Sequence, residues 1–344
     1  MASNCGTDEI SFNLDMQERF QWLKQNERTR YMCPDYTNPT QYSSSTDGDW
    51  QERLQGILNE RKYNVTWLQK CAGVLDIDST VFSTAVYIFD RYLSTFVPAY
   101  VKRELAFLEY DLQTIALASL FLAVKSMMAV NVIEDNEMPH TPIGDIIRQF
   151  RKYYGSLTRQ VFKDKVETAI LMALDWNIVY VPPSSIVYDL LCILPPPCEY
   201  DEGHEGAFVR YQNSVMHYAD KLTRRSEWMS GFTIKYPPST IALAALSIGI
   251  ENQLGIEGIS IYLACSDIEL MKRGINFSFD DEDVVRCRND MMHHFFQQEI
   301  PTKTSNKETP PVRVCNDSPN TVVFEVHKRR RTTKKRNSFA AKSA

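Results

Sequence analysis

Histidine and cysteine are the residue types of this 344-residue sequence best suited to catalysis or metal binding, and their spacing suits neither. The six histidines lack metal-ligand spacing, and the adjacent His293 and His294 would point to different faces of a helix. No two of the eight cysteines are separated by two residues, as in zinc knuckles and redox motifs. No phosphate-binding loop or nucleophile elbow is present. We therefore expect no enzyme, no catalytic residue, no metal site and no cofactor.

One lysine stands out because it ends a long uncharged stretch. Leu112–Val124 contains no charged residue and is apolar nearly all round, and Lys125 follows it directly. A soluble helix of this kind must be enclosed by other helices. A charge at its end is easiest to explain if that end reaches an edge that faces a partner.

The uncharged stretch occurs twice. Thr114–Leu120 returns as Thr240–Leu246, 126 residues later, with six of the seven positions identical. This period is too long for a solenoid repeat. The sequence therefore predicts two copies of one domain, each with helices wrapped around an alanine-rich hub.

Apolar residues recur at helical spacing around both hubs, and no alternating strand pattern persists in either copy. We predict an all-α fold of two tandem five-helix units with flexible N- and C-terminal extensions. The boundaries are an extension over 1–47, a first unit over 48–180, a second over 181–300 and a tail over 301–344. The predicted helices cover 16–24, 50–74, 79–94 with a Ser79 cap, 112–128, one opened by Thr141 and Pro142, 158–174, one after Pro182 and Pro183, 208–224, a second hub capped by Ser239, and 281–298.

Charge divides the chain into an acidic body and a basic tail. Residues 301–344 hold 11 Lys+Arg and 3 Asp+Glu, a net +8, whereas residues 1–300 hold 27 and 40, a net −13. An acidic body is a poor ligand for a phosphate backbone, so we do not expect nucleic acid as a partner. The longest apolar run is shorter than the ~18–20 residues that span a bilayer, so we expect no membrane partner.

The tail carries a basic cluster that is typical of a nuclear-import signal or a nucleic-acid patch. Because the body is acidic, we favour import and expect the protein in the nucleus as well as the cytoplasm. The cluster comprises Lys328, Arg329, Arg330, Arg331, Lys334, Lys335 and Arg336.

Four motifs, in order along residues 50–300, resemble the cyclin family. They are Arg61 followed by Trp67-Leu68, the stretch Phe89-Asp90-Arg91-Tyr92-Leu93-Ser94, the stretch Phe121-Leu122-Ala123-Val124-Lys125, and Glu167 ahead of Trp176 and Ile178. Val65-Thr66-Trp67-Leu68 faintly favours the D-type, or G1, cyclins. The resemblance implies two cyclin boxes and a regulatory subunit that binds and activates a cyclin-dependent protein kinase, with a role in cell-cycle control.

The resemblance also implies roles for particular residues. Arg61 and Asp90 would form an ion pair inside the first box. Lys125 and Glu167 would hydrogen-bond to backbone around the regulatory helix of the kinase. Adjoining apolar anchors would be Trp176 and Ile178, and a substrate-docking groove would contain Tyr63, Trp67, Leu112 and Gln113.

Three alternatives share the same fold. The first is a transcriptional cyclin rather than a cell-cycle cyclin. A two-repeat general transcription factor would bind DNA, and we would expect basic repeats in it. A pocket-type scaffold would bind peptides without activating a kinase. Substrates or inhibitors of the kinase are further expected partners.

Overall fold

Helix is the only regular structure in the part of the chain that the computed structural model describes, which covers residues 5–27, 35–42, 49–105, 110–131, 162–197, 205–228 and 232–296. Within these residues, no helix is both long and apolar enough to cross a membrane. The predicted helix at Thr141 and Pro142 and the basic tail lie outside them. In chain order the elements are α1 (Cys5–Asn26), a 3₁₀ turn (Pro39–Tyr42), α2 (Trp50–Leu75), α3 (Ser79–Val101), α4 (Leu112–Asn131), a π-helical turn (Phe162–Glu167), α5 (Thr168–Ala173), α6 (Pro183–Ile193), α7 (Glu205–Trp228), α8 (Phe232–Lys235), α9 (Pro238–Lys272) and α10 (Glu282–Phe296).

The first hub is α4, which packs against α2, α3 and the π-helical turn. Its alanines Ala116, Ala118 and Ala123 are fully buried, as the lack of charge in this stretch predicts. The helix begins where the carboxylate of Asp111 accepts hydrogen bonds from the backbone N–H and the hydroxyl of Thr114.

The second hub is α9, which packs against α6, α7 and α10. Ala242, Ala244 and Ala245 are fully buried there. A glycine in a non-helical conformation, Gly255 (φ 76°, ψ 175°), divides α9 into two helical parts. With α6, α7 and α10, these two parts give the second copy its five main helices, so the predicted all-α tandem arrangement is confirmed.

Two predicted N-caps are wrong. The side chain that caps α3 belongs to Asp78, whose carboxylate accepts the backbone N–H of Thr80 at 2.7 Å, and Ser79 is already inside the helix. The second hub begins after Pro237, so Ser239 lies in its first turn. Proline fixes φ near the helical value and therefore starts a helix earlier than the serine alone suggests.

The helix α1 contains the predicted helix at 16–24 and extends it at both ends. It packs on the second copy, where the rings of Phe20 and Phe277 meet edge to face at 5.4 Å and Arg19 pairs with Asp189 at 3.0 Å. Glu27, just after its end, is buried against the start of α9. Its carboxylate accepts the N–H and the hydroxyl of Ser239, both at 2.6 Å.

Candidate functional site

Lys125 and Glu167 meet beside the C-terminal half of α4, the first hub. The Nζ atom of Lys125 donates a hydrogen bond to Oε2 of Glu167. The lysine side chain is 39% exposed and the glutamate 8%, so the pair lies at the boundary between core and solvent. An ammonium has three donors and a carboxylate accepts several hydrogen bonds, so the pair has capacity for further polar contacts.

Glu167 reaches this position from an unusual backbone. It is the last residue of the π-helical turn Phe162–Glu167, which packs against α4. Val166, next to it, is fully buried and fixes the turn in the core. The α-helix predicted over 158–174 therefore contains a π-helical part. The π-helical conformation is rare in proteins as a whole, and where it occurs it is often at a functional site.

Three large apolar side chains are exposed after this turn. Met172 and Trp176 are each 67% exposed and Val179 is 56% exposed, whereas Ile178 is half-buried. Large exposed apolar groups close together mark an interaction surface, and exposed aromatic residues are typical interface hot spots.

A tight helix end presents Trp176. At the end of α5 the N–H of Trp176 donates to the carbonyl of Leu171 at 2.8 Å, and the N–H of Asp175 donates to the carbonyl of Met172 at 3.2 Å. This is the Schellman hydrogen-bond pattern. Asp175 and Trp176 have φ of 50° and 60°, a region that non-glycine residues rarely adopt. Such conformations cost ~1–3 kcal/mol each and cluster at functional sites.

Arg61 and Asp90 form a two-pronged ion pair deep in the core. Nε and Nη2 of Arg61 donate to the two carboxylate oxygens of Asp90, each at 2.6 Å, and both side chains are buried. Burial alone would lower the pKa of the guanidinium, but the adjacent carboxylate raises it above its usual value. The structure therefore brings together the two side chains that the resemblance pairs.

This pair also joins the two copies. Arg61 donates to the carbonyls of Glu227 at 3.2 Å and Trp228 at 3.4 Å, at the end of α7. Asp90 accepts the hydroxyl of Thr233, in α8, at 2.9 Å. Sequence reasoning placed the pair inside the first copy alone and missed these contacts, because no local pattern relates residues 143 positions apart.

The four proposed groove residues lie on α2 and α4 in different environments. Tyr63 is 63% exposed and Gln113 is half-buried, whereas Trp67 and Leu112 are buried. The two buried side chains serve the core between α2 and α4. The docking role of the four residues stays a prediction.

Side chains of the types that bind metal ions are not clustered in the described part of the chain. Among the described residues, no group of three or more His, Cys, Asp or Glu side chains is arranged to hold a metal ion. Of the cysteines in those ranges, Cys71 and Cys287 are buried and Cys192 and Cys265 are exposed, all as free thiols.

Comparison with known proteins identifies the first unit. Residues 35–179 match the family described as cyclin, N-terminal domain. A comparison with curated proteins finds no match. Among solved structures, a viral cyclin from herpesvirus saimiri has a TM-score of 0.44 at 16% identity, with 81% of this chain and 98% of that chain covered. A chain of the CAK complex from Chaetomium thermophilum bound to ATP-gamma-S has a TM-score of 0.44 at 14% identity, with 85% and 99% covered.

The matched region contains all four motifs of the sequence analysis and the ion pairs Arg61–Asp90 and Lys125–Glu167. It extends from just before the 3₁₀ turn Pro39–Tyr42 to the residue after Ile178. The match identifies residues 35–179 as a cyclin N-terminal domain.

Proposed function

We propose that this protein is a regulatory subunit that binds and activates a cyclin-dependent protein kinase. The observation that carries the proposal is the Lys125–Glu167 pair, whose glutamate lies nine residues before the exposed Trp176, all within a cyclin N-terminal domain. In this proposal Lys125 and Glu167 hydrogen-bond to backbone of the kinase, and Trp176 and Ile178 supply apolar contact. The chain itself supplies no catalytic group, and phosphate transfer is carried out by the kinase.

Activation then follows from differential binding. A partner can shift the conformational equilibrium of a kinase only by as much as its affinities for the active and inactive forms differ. A fixed surface such as the Trp176 region favours the one kinase conformation that fits it. Rigid, exposed aromatic anchors suit this task because they lose little entropy when they bind.

The direct test uses the full chain and purified monomeric cyclin-dependent kinases, one at a time. The protein alone should transfer no phosphate from ATP to a histone substrate, and with its cognate kinase the rate should rise steeply. Trp176→Ala should weaken binding, whereas Trp22→Ala, a matched change at another exposed tryptophan, should not. If no kinase of the family binds the unmodified chain, the proposal is wrong.

A role in cell-cycle control is part of this proposal. It is supported only by the similarity of Val65–Leu68 to D-type cyclins. The abundance of the protein through synchronised growth tests it, because a cell-cycle role predicts periodic change. A constant level would favour a transcriptional cyclin instead.

The alternative of a two-repeat general transcription factor would make this protein a DNA-binding protein. The net charge of −13 over residues 1–300 opposes it, because a phosphate backbone would repel that body. A gel-shift measurement with duplex DNA at low salt should show no complex with a chain that ends at residue 300.

A further inference from the structure

Arg91 connects α3 to the backbone between the two apolar anchors. Its Nη1 atom donates a hydrogen bond of 2.6 Å to the carbonyl oxygen of Asn177. Asn177 stands directly between Trp176 and Ile178 in the chain. The guanidinium therefore holds the peptide group that joins Asn177 to Ile178, one residue after Trp176.

Tyr87, one helical turn earlier on α3, supports the same contact. Its hydroxyl accepts a hydrogen bond from Nη1 of Arg91 at 3.2 Å, and the guanidinium lies 6.0 Å from the centre of its ring. The ring stacks on that of Tyr180, with 4.2 Å between centres and 8° between planes. We call residues 175–180 the anchor segment. The helix α3 thus contacts it at two residues, Asn177 through Arg91 and Tyr180 through Tyr87.

Backbone hydrogen bonds to the end of α5 hold the start of the anchor segment, and the contacts of Arg91 and Tyr87 connect the segment to α3. Asp175 and Trp176 both have positive φ, a conformation that persists only where surrounding structure holds it. The ring of Trp176 is mostly exposed, so packing around the ring does little to set its direction. Its direction depends on the backbone on either side.

We infer that Arg91 is a positioning residue. Its hydrogen bond to the Asn177 carbonyl keeps Trp176 and Ile178 in the orientation in which they bind the partner. The role in kinase binding rests on the proposed function above, whereas the effect on the segment itself does not. Preforming the anchors lowers the entropy lost on association, so loss of Arg91 should act mainly on the rate of dissociation.

The test compares Arg91→Met with a matched control. Arg53, on α2, also donates to a backbone carbonyl, that of Val101, from Nη2 at 2.6 Å, so Arg53→Met removes the same kind of contact far from the anchors in the chain. Hydrogen–deuterium exchange on the full-length free protein reports the segment directly, because the Trp176 and Asn177 amides are hydrogen-bonded there. We expect about tenfold faster exchange over 171–180 in Arg91→Met and no change there in Arg53→Met.

Two further variants separate positioning from general stability. Arg91→Lys keeps the charge and a donor and should restore most of the protection over 171–180. Tyr87→Phe keeps the stacked ring but loses the hydroxyl, so its effect should be small. A merely structural role would instead lower the melting temperature equally in Arg91→Met and Arg53→Met and leave the exchange pattern unchanged.

The kinase measurement uses the purified cyclin-dependent kinase that binds the unmodified chain most tightly. The Arg91→Met variant should dissociate from the kinase about five- to tenfold faster than the Arg53→Met variant. The Trp176→Ala variant should dissociate at least as fast as Arg91→Met. Unchanged exchange over 171–180 in Arg91→Met overturns the inference. Faster exchange with unchanged dissociation overturns its kinase part, and if Trp176→Ala also binds normally, the proposed binding surface is wrong. If no kinase binds, the proposed function fails and the exchange result still decides whether Arg91 positions the segment.

Discussion

The ion pairs Arg61–Asp90 and Lys125–Glu167 differ in the cost of breaking them. Arg61 and Asp90 are buried and have further hydrogen bonds, so removal of either leaves a charge in the core. Lys125 is partly in water, where an unpaired ammonium is solvated and an ion pair contributes little to stability. We therefore propose that the first pair acts in stability and the second in binding.

Asp90→Ala should lower the free energy of unfolding by about 3–5 kcal/mol, because it leaves the Arg61 guanidinium buried and unpaired. Asp49→Ala is the control, since the Asp49–Arg103 pair is well exposed and should contribute less than ~1 kcal/mol. Urea unfolding of both variants measures the difference. Equal losses would contradict the role assigned to the buried pair.

A charge swap tests the binding role of the second pair. Lys125→Glu and Glu167→Lys should each weaken kinase binding at least about tenfold, as expected when a hydrogen bond to a charged group is lost. The double variant restores the attraction within the chain, so its melting temperature should return to normal while binding stays weak. The same swap at Lys235 and Asp290, an ion pair in the second copy, should leave kinase binding unchanged. Recovery of binding in the double variant would show that the pair acts only within the chain.

At the scale of single residues, the sequence was informative where a motif was present. The family motifs pointed to Arg61, Asp90, Lys125 and Glu167, and the structure places them as two pairs. The partners of the Arg61–Asp90 pair in the second copy could not be predicted, because they are backbone carbonyls and a threonine with no distinctive spacing.

The hubs were the easiest elements to predict and the helix ends were the hardest. A charge-free, alanine-rich stretch has few alternatives to a buried helix, whereas adjacent Asp78 and Ser79 can each cap the same helix. The contact of Glu27 with the start of α9 was missed, because it joins elements 212 residues apart. A carboxylate at that end also interacts favourably with the helix dipole.

Glu27 makes stability depend on pH. Burial raises its pKa to about 7, although hydrogen bonds from Ser239 favour the ionised form. The folded protein then keeps a proton that the unfolded chain loses near pH 4.5, so this contribution is full below that pH and is lost as pH rises towards 7. The loss is on the order of 3 kcal/mol. The free energy of unfolding should be measured from pH 4.5 to pH 7. It should fall less steeply with rising pH in Glu27→Gln than in the control Glu18→Gln, which changes an exposed glutamate on α1. Parallel curves would contradict this role.

The two copies form one unit at the scale of the whole molecule. Residues Met1–Ile300 form a single compact body, and the contacts of Arg61, Asp90 and Glu27 reach into the second copy. Duplication was readable from the repeated hub. The junction was not, since the residues that join the copies have no counterpart in the repeat.

The basic tail gives a prediction about location in the cell. Deletion of 327–344 removes eight Lys and Arg residues and should shift a fluorescent fusion from nucleus to cytoplasm, while kinase activation in vitro stays intact. Deletion of 301–318, which leaves the basic cluster in place, is the control. An unchanged nuclear signal would remove the import role, and lost activation would show that the tail contributes to the kinase interface.

Gly255 places a stereochemical requirement on the second hub. Its φ of 76° and ψ of 175° are unfavourable for an L-amino acid and are the mirror image of an ordinary extended conformation. The Cβ of an L-residue at this position would meet no atom of the described residues within 4 Å, its two chain neighbours aside, so the backbone conformation and not a lack of space opposes L-alanine. A semisynthetic chain with D-alanine at 255 should melt above the glycine chain, because its unfolded state has fewer conformations, and one with L-alanine should melt below it. The order of these three melting temperatures would show that the bend depends on the configuration of one carbon atom.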